Sequence, residues 1–338
     1  MMRRPFLSVP VAGLLVAALA LLAPAPAGAA ATLKCALITI NDVQHEWCKR
    51  FIARIEKASG GAIKGQVFPA GQLGNVSRMI EGVQLGTIEA AISPPDFLIG
   101  VDPRFMALTS PYLFDTMDHV HRVLNDREFL DKFLAIAQPK GVVGLSLMVY
   151  GPAGIAMRTP LRSPDDLKGK KLRINATPIE RAMMAAFGAT GAPMGLPEAL
   201  TAIQQGTVDG VQSALRAITN FKFYESARYY ANTNHFYITS IGILNKKWLD
   251  ALPANVQKAV VEEGRAVMPE LLDVAKAATA DAEATWKAQT KDGWIDLTAE
   301  QRAAFRSRLE GIDARIVQEH PAAKELIELL RRKSKELR

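Results

Sequence analysis

The first hundred residues alternate between short apolar runs and segments with helical periodicity. Between residues 45 and 59 the large apolar side chains recur at spacings of three and four, the pattern of a helix with one buried face. The preceding run, residues 32–40, is apolar and partly β-branched, which favours a strand. The alternation continues with a predicted strand at 63–68, a helix at 76–85 and a strand at 90–93. Strands separated by helices in this way predict parallel β-α-β units.

The same alternation returns after residue 160. It predicts, in order, a strand at 171–174, a helix at 178–187, a strand at 192–194, a helix at 197–206 and a strand at 210–212. Two long apolar runs, 142–157 and 236–245, are predicted to be extended segments that cross between the two halves. Beyond residue 245 the pattern is helical, over 253–292 and 299–335.

These elements predict an α/β fold with two lobes, two crossing strands at the hinge and a long helical C-terminal third. The first lobe is expected to hold residues 30–150 and about 240–270, and the second 151–239 with part of 271–338. Long C-terminal helices would brace both lobes. Ligands of open α/β sheets bind beyond the C-terminal ends of the strands, so a site is expected between the lobes.

The N-terminus has the features of an export signal. Arg3 and Arg4 precede an apolar run at 11–22, and the small residues at 27–30 form a cleavage site of the A-x-A kind. The run is shorter than the roughly 20 residues that a spanning helix needs, which disfavours a membrane anchor. Residues 1–29 are therefore predicted to be a signal peptide, with a mature chain that starts near Ala30 and functions in the periplasm.

The formal charge of +7 becomes +5 without Arg3 and Arg4, and the remaining basic residues are dispersed except at the C-terminal tail. A solvated helix end explains that tail better than a nucleic-acid site, so no nucleic-acid partner is expected. Diffuse positive charge mildly favours anionic solutes.

Cys35 and Cys48 are the two cysteines, and an oxidising compartment permits a disulfide between them. If the first strand extends to residue 40, Cys35 lies at its beginning and Cys48 in the first turn of the next helix. Cα atoms more than about 7 Å apart cannot be joined, so this placement favours two unpaired cysteines.

Sequence motifs for catalysis or cofactor binding are missing. The chain contains no G-x-S-x-G, no G-x-G-x-x-G after a strand and no P-loop, so neither an enzyme nor a cofactor is expected. His119 and His121 point apart on a helix, which disfavours a metal site. His235, at the start of a crossing strand, is better explained by a structural hydrogen bond.

Five stretches together resemble one family. They are L-R-S-P-D-D-L-K-G-K-K-L-R at 161–173, G-G-A-I-K-G-Q-V-F-P-A-G-Q-L-G at 60–74, I-E-G-V-Q-L-G-T-I-E-A at 80–90, S-P-Y-L-F at 110–114 and A-I-Q-Q-G-T-V-D-G at 202–210. In their order along the chain, these stretches resemble the DctP-type substrate-binding proteins of tripartite ATP-independent periplasmic (TRAP) transporters. The resemblance covers essentially the whole mature chain.

The resemblance implies a type II-like periplasmic binding protein that closes on a small organic acid. Such a protein is not an enzyme, and it delivers its ligand to the small and large membrane permease subunits. We expect a monomer. Receptors of ATP-driven importers share the two lobes but not the 161–173 motif, whereas a periplasmic ligand-sensing subunit remains an alternative.

In the resembling family, the arginine that ends the 161–173 motif grips the ligand carboxylate, and that position is Arg173 here. A guanidinium matches a carboxylate with two parallel bonds and stays charged. Where sialic-acid-binding members carry a second arginine and an asparagine, this chain has Ala153 and Ser213. The cleft has therefore lost polar groups.

The remaining site candidates are polar and aromatic residues close to predicted strand ends: Gln44, Trp47, Phe97, Tyr150, Asn175, Leu215 and Tyr237. This set predicts a pocket more apolar than one made for a sugar acid. We expect the ligand to be a monocarboxylate with an apolar or aromatic body, with a dicarboxylate or keto acid as the alternative.

Overall fold

A computed structural model describes residues 30–338, so the predicted signal peptide lies outside the described residues. The strands are β1 Ala31–Ala36, β2 Ile63–Phe68, β3 Ala90–Ser93, β4 Val142–Met157, β5 Lys171–Ile174, β6 Thr190–Pro193, β7 Gly210–Ala214, β8 Tyr229–Ala231, β9 Tyr237–Asn245 and β10 Trp294–Ile295. Within 30–338, no helix has the length and apolar character needed to cross a membrane.

The helices fall into two groups, with short 3-10 turns between several of them. The first group alternates with the strands: α1 Val43–Ala58, α2 Val76–Leu85, α3 Met117–Leu124, α4 Arg127–Ala135, α5 Pro178–Ala186, α6 Leu196–Gln204 and α7 Leu215–Asn220. The second forms the C-terminal third: α8 Lys246–Asp250, α9 Ala254–Ala266, α10 Leu271–Thr290, α11 Ala299–Arg308, α12 Ile312–Glu319 and α13 Lys324–Glu336.

The main sheet runs in the order β2-β1-β3-β9-β4-β7-β5-β6. At one end β1 is parallel to β2 and β3, and at the other β5 is parallel to β6 and β7. We call the layers around β1–β3 the first lobe and those around β5–β7 the second lobe. The two-lobed α/β fold predicted from the sequence is confirmed.

The crossing strands β4 and β9 pair with each other at the centre, antiparallel. Strand β4 continues beyond this pairing to contact β7 and β8 in the second lobe, while β9 also pairs with β3 in the first. A register shift interrupts the β4 ladder between Val149 and Gly151, within the predicted hinge. A bulge bends its strand locally, which suits a hinge position.

The C-terminal third is more broken than predicted. The expected helix at 253–292 is divided into α9 and α10 by a 3-10 turn that contains Pro269. Proline has no N–H to donate and its ring clashes with the preceding turn, so the helix cannot run through. Helix α10 packs against α7 of the second lobe, α1 of the first and the crossing strand β4. It therefore contacts both lobes.

The expectation of two unpaired cysteines is wrong. Cys35 and Cys48 form a disulfide with their Cα atoms 6.0 Å apart. Strand β1 ends at Ala36 and not near residue 40, so Cys35 lies at the C-terminal end of the strand, beside the start of α1. The bond closes the segment between β1 and α1.

Candidate functional site

A cavity of about 350 Å³ lies between the two lobes, within the size range of small-molecule sites. Its walls come from the segments that follow β1 and β3 in the first lobe and β5 and β7 in the second, with contributions from β4 and β9. The rule for open α/β sheets therefore located the cavity.

Arg173 forms the cationic point of the cavity. Its side chain is almost fully buried, with 2% exposed, in strand β5. Nε donates to the carbonyl of Met194 at 2.8 Å and Nη1 to that of Gln212 at 3.3 Å, which fixes the guanidinium plane. Among the described residues Nη2 has no hydrogen-bond partner. Burial lowers the pKa of Arg173 to about 10, so it stays charged at neutral pH.

Two buried carboxyl groups flank Arg173, and sequence reasoning identified neither. Asp96 accepts hydrogen bonds from Thr109 Oγ1 at 2.9 Å and from Asn175 Nδ2 at 2.7 Å. Burial raises its pKa, while these two bonds and the charge of Arg173 oppose the rise. Asp96 follows β3 in the first lobe and Asn175 follows β5 in the second, so their bond joins the lobes across the base of the cavity.

Glu180 is the second buried carboxyl group. It accepts from the backbone N–H groups of Asn175 and Thr177, each at 3.2 Å, and from Gln212 Nε2 at 3.0 Å. Burial and the nearby Asp96 raise the pKa of Glu180 to about 7. The only signal in the sequence was the helix-capping pattern T-P-I-E at 177–180, which indicates a helix start and not a site.

The second-lobe wall carries two further predicted residues. Asn175 and Ser213 line the cavity and are 4% and 3% exposed. Ser213 lies in β7, next to β5, which places it beside Asn175. Its hydroxyl has no hydrogen-bond partner among residues 30–338. This wall therefore presents several unsatisfied polar atoms to a ligand.

The first-lobe wall is different, although Gln44 and Tyr150 line the cavity as predicted. Gln44 accepts from Thr39 Oγ1 at 3.1 Å and donates to Ser240 Oγ at 2.9 Å. The Tyr150 hydroxyl donates to Asp42 Oδ2 at 2.7 Å. Burial raises the pKa of both Asp42 and Tyr150. These polar groups are bonded to one another and present mainly apolar surface.

Phe97 lines the cavity as predicted and is half-buried. The apolar lining that sequence reasoning missed includes Ile38, Val76, Leu196, Ala217 and Ile238. Glu198 at the start of α6 is exposed and lines the cavity as well. Among the lining residues, Arg173 and Glu198 are the charged ones.

The structure places three predicted site residues elsewhere, and these predictions are corrected. Trp47 is core: its Nε1 donates to Ser146 Oγ at 2.9 Å and its ring stacks on Phe51. The ring leaves no room for a side chain at Gly242 of β9, which explains that glycine. Trp47 faces the sheet because it lies on the buried stripe of α1.

Tyr237 and Leu215 also lie outside the cavity lining. The Tyr237 hydroxyl donates to the carbonyl of Asp115 at 3.0 Å, and its ring borders a separate surface depression. Leu215 is buried at the start of α7, while its neighbour Ala214 takes the lining position. For Tyr237 the alternation of side-chain direction along β9 accounts for the misplacement, since the adjacent Ile238 faces the cavity.

His235 supports the second-lobe wall from behind. It is fully buried between Thr233 Oγ1 at 2.7 Å and Gln212 Oε1 at 2.8 Å, which confirms the expected structural hydrogen bond. Burial lowers its pKa to about 3, so the ring is neutral. Within residues 30–338, no group of three or more His, Cys, Asp or Glu side chains is placed to hold a metal ion.

Helix α7 provides a second polar connection between the lobes. Arg216 Nη2 donates to the carbonyl of Asn41 at 2.7 Å, and Asn220 Nδ2 to that of Ile40 at 2.6 Å. Arg216 is also paired with Asp281 of α10. These contacts hold the lobes together in the observed conformation.

Comparison with known families decides the assignment. The family described as "Bacterial extracellular solute-binding protein, family 7" (DctP) matches residues 37–319, most of the chain. The chain belongs to this family. DctP-family proteins bind substrates for transporters, so the chain is the binding subunit of a TRAP-type transporter and not an enzyme.

Curated relatives agree with the DctP assignment. The 2,3-diketo-L-gulonate-binding periplasmic protein YiaO of Escherichia coli is 31% identical over 226 residues, which is 67% of this chain and 69% of the relative. The C4-dicarboxylate-binding periplasmic protein DctP of Rhodobacter capsulatus is 30% identical over 270 residues, covering 77% and 78%. These are periplasmic proteins, and the predicted location of the chain is confirmed.

Solved structures share the fold of this DctP-family chain. A TRAP periplasmic solute-binding protein from Desulfovibrio salexigens, crystallised with bound orotic acid, superimposes with a TM-score of 0.85 at 26% identity. The match covers 91% of this chain and 99% of that one. A succinate-bound protein from Shewanella oneidensis has a TM-score of 0.84 at 20% identity, covering 90% of this chain and all of the other, and it supports the fold alone.

Proposed function

We propose that this chain captures a monocarboxylate with an apolar or aromatic body between its lobes and delivers it to the small and large permease subunits of a TRAP transporter. The observation that carries this proposal is the pairing of one partly unbonded guanidinium, at Arg173, with a largely apolar opposite wall. Arg173 would take the carboxylate through Nη2 and the remaining N–H of Nη1.

The charges of the lining favour one carboxylate over two. A dicarboxylate would place its second anionic group in a cavity whose other charged lining residue is the acidic Glu198. Burying a carboxylate without a cation or several donors is costly. The orotic acid bound by the Desulfovibrio salexigens relative has a single carboxylate on a planar ring, which agrees with one carboxylate over two.

The body of the ligand would contact Phe97, Ile38 and Val76 of the first lobe and Leu196 of the second, which line the cavity. Burial of apolar surface stabilises a complex by about 25 cal/mol per Å². Gln44 and Tyr150 of the first-lobe wall are bonded within the protein, so a polyhydroxylated body would find few replacements there for its hydrogen bonds to water.

Closure follows from binding that involves both lobes. The hinge is proposed at Val149–Gly154 and Ile238–Gly242, where β4 and β9 cross. An acid held by Arg173 of the second lobe and Phe97 of the first favours the closed form by its higher affinity for it. We propose that the protein is monomeric in this cycle. We also propose that the boundaries between the lobes lie near residues 150 and 240, at this hinge.

A thermal-shift screen of the exported protein tests the proposal. The probes are aromatic and aliphatic monocarboxylates, C4-dicarboxylates, keto acids, amino acids and neutral sugars. A ligand at about 100 times its dissociation constant adds about 2.7 kcal/mol of stability. A selective shift with monocarboxylates is expected. A dicarboxylate response would keep the DctP assignment and overturn the proposed ligand, and a response to sugars alone would remove Arg173 from its role.

A further inference from the structure

Three nearly buried polar side chains lie together on the second-lobe wall. Arg173 and Asn175 are two residues apart at the end of β5, so their side chains lie on the same face. Ser213 of the adjacent parallel strand β7 lies beside them, and all three line the cavity. A carboxylate on Arg173 therefore brings its neighbouring carbon atom close to Asn175 and Ser213.

Asp96 fixes the orientation of the Asn175 amide. Nδ2 donates to Asp96 Oδ2 at 2.7 Å, and the other oxygen of Asp96 accepts from Thr109 at 2.9 Å. In its ionised form, which Arg173 and the two donated hydrogen bonds favour, Asp96 accepts and does not donate, so the reversed amide would place two oxygen atoms against each other. Burial raises the pKa of Asp96, and the charge of Arg173 with the two hydrogen bonds opposes it.

The amide oxygen of Asn175 is consequently turned away from Asp96. Among residues 30–338 it accepts no hydrogen bond, although the residue is only 4% exposed. Asn175 lines the cavity, so an amide oxygen without a protein partner there can accept from a ligand donor. The wall thus offers donors from Arg173 and an acceptor from Asn175, next to each other.

We infer that the cleft prefers a 2-hydroxy carboxylate over the 2-keto and unsubstituted acids of the same skeleton, with Asn175, oriented by Asp96, as the specificity-determining residue. This inference rests on the proposed function and deepens it. The ligand hydroxyl donates to Asn175 Oδ1, whereas a keto oxygen at that place faces another acceptor. Ser213 donates or accepts as required and does not discriminate. Sites built around a substrate hydroxyl reject analogues that lack it.

Calorimetric titration with matched acids tests the inference. The probes are mandelate, phenylglyoxylate and phenylacetate, which differ only at the carbon next to the carboxylate, together with the corresponding three acids on an isobutyl skeleton. We expect the 2-hydroxy acid to bind at least about tenfold more tightly than its two analogues on the skeleton that binds.

The Asp96→Asn variant sharpens the test. Its amide can donate as well as accept, so it no longer holds the Asn175 amide in one orientation, and the preference for the 2-hydroxy acid over the keto acid weakens. Thr109→Val is the matched control, because it removes only the bond to the other oxygen of Asp96. The control is expected to keep the hydroxy-acid preference, and thermal melts establish that both variants fold.

The two possible failures are distinguishable. If the 2-hydroxy, 2-keto and unsubstituted acids of one skeleton bind equally, but their affinity still falls in Arg173→Lys, the role of Asn175 is overturned. The proposed function then stays intact. A hydroxy-acid preference unchanged in Asp96→Asn also overturns it. Binding of no acid on either skeleton, or binding indifferent to Arg173→Lys, overturns the proposed function and this inference together.

Discussion

The two walls of the cavity differ in whether their polar side chains are already hydrogen-bonded within the protein. On the second-lobe wall Arg173, Asn175 and Ser213 keep unsatisfied hydrogen-bonding atoms towards the cavity. On the first-lobe wall the side chains of Gln44 and Tyr150 are hydrogen-bonded within the protein. One wall is prepared for polar recognition, and the other offers a preformed apolar surface.

This difference separates two tasks of a binding protein. Directional bonds to a head group need atoms whose partners are absent until the ligand arrives, and such atoms are costly to bury. Shape and apolar area need no open bonds. The buried carboxyl groups Asp96 and Glu180 favour the charged form of Arg173, and the carbonyls of Met194 and Gln212 fix its guanidinium, so charged recognition is concentrated at Arg173.

The largest effect is expected from changing Arg173. Arg173→Lys keeps the charge but removes the planar fork, and Arg173→Met removes the charge as well. Each lost charge-assisted bond costs about 1.5–3 kcal/mol, so affinity for a carboxylate falls by at least about tenfold in both variants. Arg173→Met also loses stability, because Asp96 and Glu180 stay buried without a cation.

Calorimetry and chemical denaturation measure these two effects. Arg158→Lys is the control, since Arg158 is exposed and lies outside the cavity lining. Affinity in Arg173→Lys equal to that of the control would show that the polar wall is not where the carboxylate binds.

The next largest effect is expected from the disulfide, which supports the apolar wall. Cys35 and Cys48 are 13 residues apart, and Ile38, Thr39 and Gln44 of the cavity lie between them. Closing a loop of about 15 residues contributes about 3 kcal/mol. The Cys35→Ala/Cys48→Ala double variant should lose about that much in urea unfolding and bind its ligand more weakly. Reductant should destabilise the wild type and leave the variant unchanged; an equal response of both contradicts the prediction.

A smaller effect is expected from the connection between the walls. Arg216→Ala removes the hydrogen bonds from α7 to the Asn41 carbonyl and the ion pair with Asp281. These interactions are partly exposed to solvent. We expect affinity to fall about two- to fivefold, with a larger open fraction in small-angle X-ray scattering of the free protein. Arg308→Ala is the control, because Arg308 pairs with Asp165 and does not contact the first lobe. Identical scattering of the two variants would exclude a role for Arg216 in closure.

The smallest effect is expected in the pH dependence of the unfolding free energy, through His235 behind the second-lobe wall. The pKa of His235 is lowered to about 3, so on acidification the unfolded chain takes up a proton near pH 6.5 before the folded protein does. The unfolding free energy should therefore fall by about 0.8 kcal/mol between pH 8 and pH 6 through this residue. His235→Gln should lack this component, and His320→Gln should retain it. Parallel pH profiles of wild type and His235→Gln would contradict the prediction.

The elements with strong patterns were predicted well from the sequence. Strand β4 has the predicted bounds because its largely apolar run is long and lies between Gly141 and Arg158. Arg173 was identified because a specific motif surrounds it, and burial alone would have argued against an arginine there. Patterns of this kind consist of residues that are close together in the sequence, so they can be recognised from a single sequence.

The missed features depend on contacts between distant segments. Asp96 and Glu180 are single acidic residues with no periodic signal, and they become a pair only when the segments that follow β3 and β5 come together near Arg173. The disulfide was misjudged because an apolar run continues past the true end of β1. Trp47 was misplaced because it lies soon after the first strand in the sequence, although the apolar stripe of α1 already indicated a core position.

The central claim is that the cleft recognises an anionic carboxylate through Arg173 and an apolar body through the other wall. Calorimetric titration of the exported protein with mandelate and with mandelamide, its uncharged amide, tests it most directly. The account predicts that mandelate binds at least about tenfold more tightly, because the amide forfeits the charge-assisted bonds to Arg173. Equal affinity for the two compounds would contradict it.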